Sequence, residues 1–368
     1  MLVLLAALPL SVLVMRFVAG RLWPSTNEFY IIYSNDQKEQ LPLREIPGRV
    51  LAGGLTVGCG GAQGMESPSA ALGAGLGAGM ERLVGQEIPK KERGFLMMAG
   101  ASAGLAAIFS SPGVGAMYGL EVPFRRGFDA RPLIQATVAA VVAFLVRALT
   151  VGVDPLIPYA KGHIVIDSQM IWIAIFVALV CGCGARIFAA AANLARRFRK
   201  QVSPSRTTVI GSILLVILAY GAWLSTGAWV TLGPGHVMFD WAIASPQAVW
   251  LLVLILLLHA GATIVCVFGG GGGGVFTSLT ATGAMLGYIA AILLGYTDNL
   301  FLPLLAGACL LSAAYRIPLV GMMLVVEWGG GLDSIVLGLI CVVIAQACMG
   351  RQTIAPSQSD SPGVLECR

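Results

Sequence analysis

A carboxylate at position 66 stands in the run Gly64-Met65-Glu66-Ser67-Pro68, between long apolar stretches. An ionisable side chain in such surroundings is costly and points to function. Gly64 exposes backbone just ahead of an apolar helical segment. A helix N-terminus carries about half a positive charge on its unpaired N–H groups, and it binds anions without a full countercharge. A second break, Gly270–Gly274, leads into Val275-Phe276-Thr277-Ser278 in the same way. Partial charges let an anion enter and leave, where a full ion pair would hold it. Glu66 at such a mouth resembles a tethered anion: charged, it would occupy the anion's place; protonated, it could swing away. The plainer alternative is an N-terminal charge that merely complements the helix dipole. Neither break ends in the Gly-Lys-Ser/Thr of a phosphate-binding loop.

The two breaks belong to a longer repeat. Leu105 to Glu121 reads LAAIFSSPGVGAMYGLE, and Leu311 to Glu327 reads LSAAYRIPLVGMMLVVE. Seven positions are identical at a constant offset of 206, among them Pro112/Pro318, Gly115/Gly321 and Glu121/Glu327. Phe109 and Tyr315 match as aromatics. Such repeats mark two related halves, with the substrate site near the midplane where broken helices meet. Glu121 and Glu327 end apolar helices, where an acid opposes the helix dipole. Glu327 reads as structural or exposed at the membrane edge. Glu121 is balanced between a structural role and a proton relay.

The elements that must hold these residues are membrane helices. The chain has 368 residues, 57% hydrophobic and 11% charged. A soluble domain keeps about 25% charged residues, so lipid must solvate much of this surface. In lipid only helices or closed barrels satisfy the backbone. The apolar segments are continuous rather than alternating, as in Leu133–Leu149, Met170–Ala192, Thr207–Leu224 and Ala248–Phe268, which predicts helices. Shorter ones follow at Pro47–Gly61, Ser67–Val84, Gly94–Phe109, Gly113–Phe124, Val275–Leu294, Leu300–Tyr315, Leu319–Trp328 and Leu332–Met349. Leu2–Leu22 is read as a first membrane helix, followed by a polar connection through Arg44. The expected organisation is one transmembrane domain over residues 1–350, with halves of about 24–200 and 207–350, and a short polar tail over 351–368.

Basic clusters at Arg125, Arg126 and Arg131, and at Arg196, Arg197, Arg199, Lys200 and Arg206, predict cytoplasmic ends. The Gly152–Gln169 connection, with no basic excess, is placed opposite. The clusters are short and flank apolar spans, which argues against nucleic acid as a partner. The eight cysteines show no CxxC pattern and read as buried thiols. His163, His236 and His259 are far apart, so neither a metal nor another cofactor is indicated.

These residues resemble the CLC family of chloride channels and chloride–proton antiporters. Gly64–Pro68 resembles the family's GREGP, which implies a gating role for Glu66. Gly274–Ser278 resembles GxFxP, which implies anion coordination through the Phe276 backbone amide. Ala103–Pro112 and Ser312–Gly321 resemble the paired AGLAAAFxAPLAG and AASxRAPLTG segments. The match runs from about residue 24 to 350. It implies an all-α polytopic membrane protein with an inverted repeat of broken and re-entrant helices. It also implies a homodimer with one pore per subunit, in a plasma or inner membrane. The partners implied are the lipid bilayer, chloride or a related small anion, and protons. Counting back from Glu66 places Ser25 on the family's pore serine, so the expected anion path takes in Ser25, Gly64, Met65, Glu66, Gly274, Val275 and Phe276.

Several positions depart from the family pattern. Met65 replaces the arginine of GREGP, Ser67 its second glycine and Ser278 the proline of GxFxP. The glycines and proline that flank the family's serine are absent around Ser25. Val122 stands where the antiporters carry their internal proton glutamate, which leans toward passive conduction or weak coupling. The pore tyrosine position falls on Ile354. Two membrane helices normally precede the serine segment, and Met1–Leu22 supplies one. Loss of the GREGP arginine also marks a fluoride-exporting branch, which keeps fluoride open as the ion. The competing readings are a non-transporting homologue acting as a membrane scaffold or partner subunit, and an intramembrane enzyme. The second needs a nucleophile–base or metal constellation, which the scattered histidines do not offer.

Overall fold

The computed structural model describes residues 1–35, 41–84, 92, 94–153, 168–296, 300–329 and 334–361. These residues form α-helices and short connections. In chain order the α-helices are α1 (Leu2–Phe17), α2 (Thr26–Asn35), α3 (Ile46–Gly58), α4 (Glu66–Val84), α5 (Phe95–Phe109), α6 (Pro112–Glu121), α7 (Leu133–Thr150) and α8 (Ser168–Gln201). They continue with α9 (Pro204–Thr226), α10 (His236–Ala244), α11 (Val249–Gly269), α12 (Phe276–Leu294), α13 (Phe301–Tyr315), α14 (Pro318–Trp328) and α15 (Ser334–Met349). Two helices depart from the sequence expectation. The connection read as polar contains α2, whose residues Thr26–Ile31 are buried. The short α10 had no counterpart in the apolar pattern. Most of the Gly152–Gln169 connection lies outside the described residues, as do the first residues of the Leu332–Met349 segment and the end of the 351–368 segment.

Among the described residues, five helices, α7, α8, α9, α11 and α12, are long and apolar enough to cross a membrane. Shorter apolar helices, including α5, α13, α14 and α15, pack among them. The outer surface is built for lipid: on α7, Ile134, Val138, Val142, Leu145 and Leu149 are all exposed. A surface of this kind is stable only where water is absent.

Repeat-related helices keep repeat-related neighbours. α4 packs on α5 as α12 packs on α13, and α5 meets α7 as α13 meets α15. Small residues permit the close approach: Gly73 and Gly100 each sit where a Cβ would strike the other's carbonyl. Pro112 and Pro318 open α6 and α14, positions where the missing N–H and fixed φ cost nothing. The preceding helices both end on a left-handed residue that is not glycine, Ser110 at φ 53° and Arg316 at φ 62°. These two are 206 positions apart, so the repeat extends to an unusual backbone state that the two residue types do not share. Ser110 Oγ accepts a hydrogen bond from Arg147 Nε, and Arg316 Nε donates to the Arg125 carbonyl.

Residues 351–361 pack against helix ends. The Gln358 amide donates to the carbonyls of Val122 and Tyr315 at 2.8 Å each, and Ile354, fully buried, donates its N–H to Ala314. Arg196 Nη1 donates to the Ile354 carbonyl and Arg125 Nη2 to the Pro356 carbonyl. Arg125 and Arg196, one from each basic cluster, therefore border the same segment.

Candidate functional site

The two breaks meet. Gly64 and Gly274 exchange backbone hydrogen bonds of 2.9 and 2.8 Å, an isolated antiparallel bridge between the halves. This bridge fixes the N-termini of α4 and α12 beside each other. A side chain at either glycine would strike the Glu66 carboxylate, so both positions need a residue without Cβ. The glycine run before α12 would leave N–H groups unpaired. Ser11 Oγ and Thr56 Oγ1 both accept from Gly272, and Gln63 Oε1 accepts from Gly273. At Gly270, φ is +92° and the Arg199 guanidinium lies where a Cβ would stand.

Glu66 is fully buried, and its carboxylate rests on the first turn of α12. Oε1 accepts from the Thr277 backbone N–H at 3.0 Å and Oε2 from Thr277 Oγ1 at 2.9 Å. The acid of one half thus sits on the helix N-terminus of the other, where the dipole favours negative charge. Thr277 is the partner that sequence reasoning missed. Its signal was a hydroxyl inside the second break.

The other expected residues distribute around this contact. Val275 is the buried N-cap of α12. The Phe276 ring is buried in an aromatic cluster, with ring centres 5.0 Å from Phe109, 5.7 Å from Tyr118 and 5.9 Å from Tyr315. Met65 is half-buried and accepts the Ser69 N–H at 2.9 Å through its carbonyl. Ser25 is not in hydrogen-bond contact with Glu66 among the described residues. It lines a cavity of about 330 Å³ together with Asn27, Gln63, Arg196, Arg199 and Lys200. The same cavity reaches Gly273 and Val275, at the base of the second break. Ser67, beside Glu66, donates to Asn27 Oδ1 at 2.9 Å, and Tyr315 Oη donates to the same oxygen at 2.6 Å.

The turn that presents Ser25 is clamped from below. Arg49, fully buried, donates to the Pro24 carbonyl at 2.7 Å and to Glu45 at 2.6 Å. Its guanidinium lies 4.0 Å from the Phe29 ring centre. Removing one partner of a buried pair leaves the other charge uncompensated, at a cost of about 3–5 kcal/mol. Arg21 lies 3.5 Å from Glu45 and offsets part of that. Arg49→Leu is expected to lower the unfolding free energy in detergent by about 3 kcal/mol. A change below about 0.5 kcal/mol, the level of an ordinary surface substitution, would remove Arg49 from the scaffold of this turn.

Glu121 and Glu327 act across the repeat. Glu121 Oε1 and Oε2 accept the Leu319 and Val320 N–H groups of α14 at 3.0 and 2.9 Å. Glu327 accepts the Gly113 and Val114 N–H groups of α6 at 2.7 and 3.2 Å, and a bond from Ser111 Oγ. Gly113 and Leu319 are repeat mates, as are Val114 and Val320. Each acid opposes the dipole of its own helix and complements that of the other half. The two structures of the repeat are thus tied by a reciprocal pair of caps.

Broken helices whose N-termini face each other inside a bundle of membrane-length helices define a polytopic, repeat-built membrane protein. The profile of the family described as voltage gated chloride channel matches residues 6–350, and the chain belongs to that family. The family comprises anion channels and transporters, not enzymes. The H(+)/Cl(-) exchange transporter ClcA of Vibrio vulnificus is 26% identical over 337 residues, covering 84% of this chain and 68% of that relative. The chloride/fluoride channel protein of Pseudomonas syringae pv. tomato is 25% identical over 328 residues, covering 86% and 69%. Among solved structures, a CLC-type fluoride/proton antiporter superposes with a TM-score of 0.79 at 21% identity, covering 98% of this chain and 97% of its own. A slow cyanobacterial Cl-/H+ antiporter gives 0.81 at 19% identity, covering 96% and 85%. The chain is an integral, multi-pass membrane protein with this fold.

Proposed function

We propose that the protein carries a small monovalent anion, chloride first, along a path past the facing N-termini of α4 and α12, gated by Glu66. The observation that supports this most is the carboxylate of Glu66 seated on the Thr277 N–H and hydroxyl. A carboxylate held by neutral donors at a helix N-terminus occupies the kind of place an anion takes. Ser25, Gly64, Met65, Gly274, Val275 and Phe276 border the path. The Arg196–Arg199–Lys200 side of the cavity draws anions toward it from the cytoplasmic end. The protein acts as a single transmembrane unit in a plasma or inner membrane and pairs as a homodimer.

Both oxygens of Glu121 are held by the N–H groups of α14, which favours a capping role over a proton relay. Val122 is fully buried and brings no ionisable group to its position. Proton coupling is accordingly weak or absent in this reading. Relatives that move chloride or fluoride make the ion a matter for measurement. Purified protein in liposomes is expected to pass chloride faster than protein-free liposomes, and to discriminate among chloride, fluoride and nitrate. Stoichiometric proton movement driven by a chloride gradient would overturn weak coupling. Absence of flux for all three anions from well-folded protein would favour the non-transporting scaffold.

A further inference from the structure

Arg316 stands in the left-handed region, at φ 62°, as the C-cap of α13. Glycine is the usual residue there, and a side chain is kept at a backbone cost. At its repeat mate, Ser110, the side chain is used: the hydroxyl accepts from Arg147 Nε. Arg316 donates through Nε to the Arg125 carbonyl at 3.1 Å. That bond sets its guanidinium against the loop that follows α6. The charges of Arg126 and Arg125 both act on Arg316 there.

The C-terminal segment holds this cluster in place. Phe124 and Ser359 form a parallel bridge, and the Arg125 N–H donates to the Ser359 carbonyl at 2.8 Å. Arg125 Nη2 donates to the Pro356 carbonyl at 2.9 Å. Three guanidinium charges thus meet at one join. Among the described residues one carboxylate pairs with them: Asp360, 3.7 Å from Arg125 and 85% exposed. An ion pair so open to water neutralises little. The enclosed Arg125 Nε and Arg316 Nη1 find no acceptor either. Neutralisation therefore has to come from the outer side, where Arg126 is exposed and Arg125 and Arg316 are partly so. None of the three lines the 330 Å³ cavity, so the cluster is separate from the anion path.

We propose that Arg125, Arg126 and Arg316 bind a phosphate group, carried by an anionic phospholipid or by a free phosphate compound, where α6, α13 and the C-terminal segment join. The inference stands apart from the transport reading. Guanidinium forks match phosphate oxygens two at a time, a geometry that a halide does not offer. Phe128, two residues beyond Arg126, is exposed, as aromatic anchors at headgroup level are. A bound phosphate draws on both halves of the repeat: Arg125 and Arg126 follow the first copy, and Arg316 belongs to the second.

The test uses the full chain in uncharged detergent. Native mass spectrometry reads retention of phosphatidylglycerol against phosphatidylcholine, and calorimetry at constant ionic strength reads binding of inorganic phosphate and pyrophosphate. Arg126→Gln and Arg316→Gln are compared with Arg197→Gln, which removes one exposed arginine from the other basic cluster. Each cluster variant is expected to weaken binding by about tenfold or more, the size of one hydrogen bond to a charged group. Arg197→Gln is expected to stay within about twofold of the unaltered chain. Phosphatidylglycerol held at these arginines, with free phosphates unbound, upholds the site as one for a lipid headgroup. Phosphate or pyrophosphate lost with the same two variants upholds it as one for a soluble phosphate. Equal losses in all three variants would overturn the proposal, because general attraction to anionic lipid weighs every exposed arginine alike. So would phosphatidylcholine retained as well as phosphatidylglycerol, losses within about twofold in both cluster variants, or no binding of any probe to the unaltered chain. Where Arg316→Gln does not fold, Arg126→Gln decides alone.

Discussion

Glu66→Ala is expected to raise anion flux at neutral pH by roughly tenfold, and to make flux independent of pH. Charged, the Glu66 carboxylate accepts from the Thr277 N–H and hydroxyl and so competes with an anion for them. Protonation removes the negative charge and turns one oxygen into a hydroxyl, a much weaker acceptor for those groups. Under the proposed gate, flux through the unaltered chain is therefore expected to rise as pH falls. Alanine removes the competitor at every pH. Glu66→Gln retains one carbonyl acceptor and is expected to fall between the two. The measurement is chloride efflux from liposomes over a pH series. Flux in Glu66→Ala that matches the unaltered chain in rate and pH dependence would remove the gate.

Glu327→Ala is expected to lower the unfolding free energy by about 3 kcal/mol, and Glu121→Ala by a similar amount. Each carboxylate serves two backbone N–H groups of the opposite half. In an apolar surround those groups have no water to turn to. Loss of the cap leaves them unpaired and loosens the α6–α14 contact that joins the halves. Glutamine keeps one acceptor and recovers part of the loss. Unfolding in detergent, followed by tryptophan fluorescence, reads the effect. Glu121→Gln is also expected to leave anion flux per folded molecule within about twofold of the unaltered chain, since its oxygens face the α14 backbone. A destabilisation below about 0.5 kcal/mol in both alanine variants would show that the caps do not tie the halves.

Much of this was readable in the residues, for physical reasons. Long continuous apolar runs in lipid read as helices, so the spans stood out, and the Gly113–Phe124 and Leu319–Trp328 segments begin just after the repeated Pro112 and Pro318. The Gly64 and Gly270–Gly274 breaks stood out because they expose backbone just ahead of apolar helical segments, and a run of glycines disfavours helix. Glu66 stood out because a lone carboxylate there needs a partner. What the sequence could not show was pairing across some 200 residues. Nothing local tells that Glu66 lands on Thr277, or that Glu121 and Glu327 exchange helices. Read alone, each of the latter opposes its own dipole and looks unexplained. The helix α2 was missed because Thr26–Asn35 mixes polar and aromatic residues, and its burial comes from packing against α4 and α5. Asn27 was missed with it. The family pattern points to Ser25, while the Asn27 amide two residues on carries the hydrogen bonds to Ser67 and Tyr315.

The proposed function requires that the Glu66 carboxylate stand in an anion site. Bromide scatters anomalously and substitutes for chloride, so crystals of the unaltered chain and of Glu66→Ala grown in bromide locate that site directly. The account predicts an anomalous peak within hydrogen-bond distance of the Thr277 N–H in Glu66→Ala, and none there while the charged Glu66 is present. An empty α12 N-terminus in Glu66→Ala, in crystals with bromide bound elsewhere along the cavity, would contradict it.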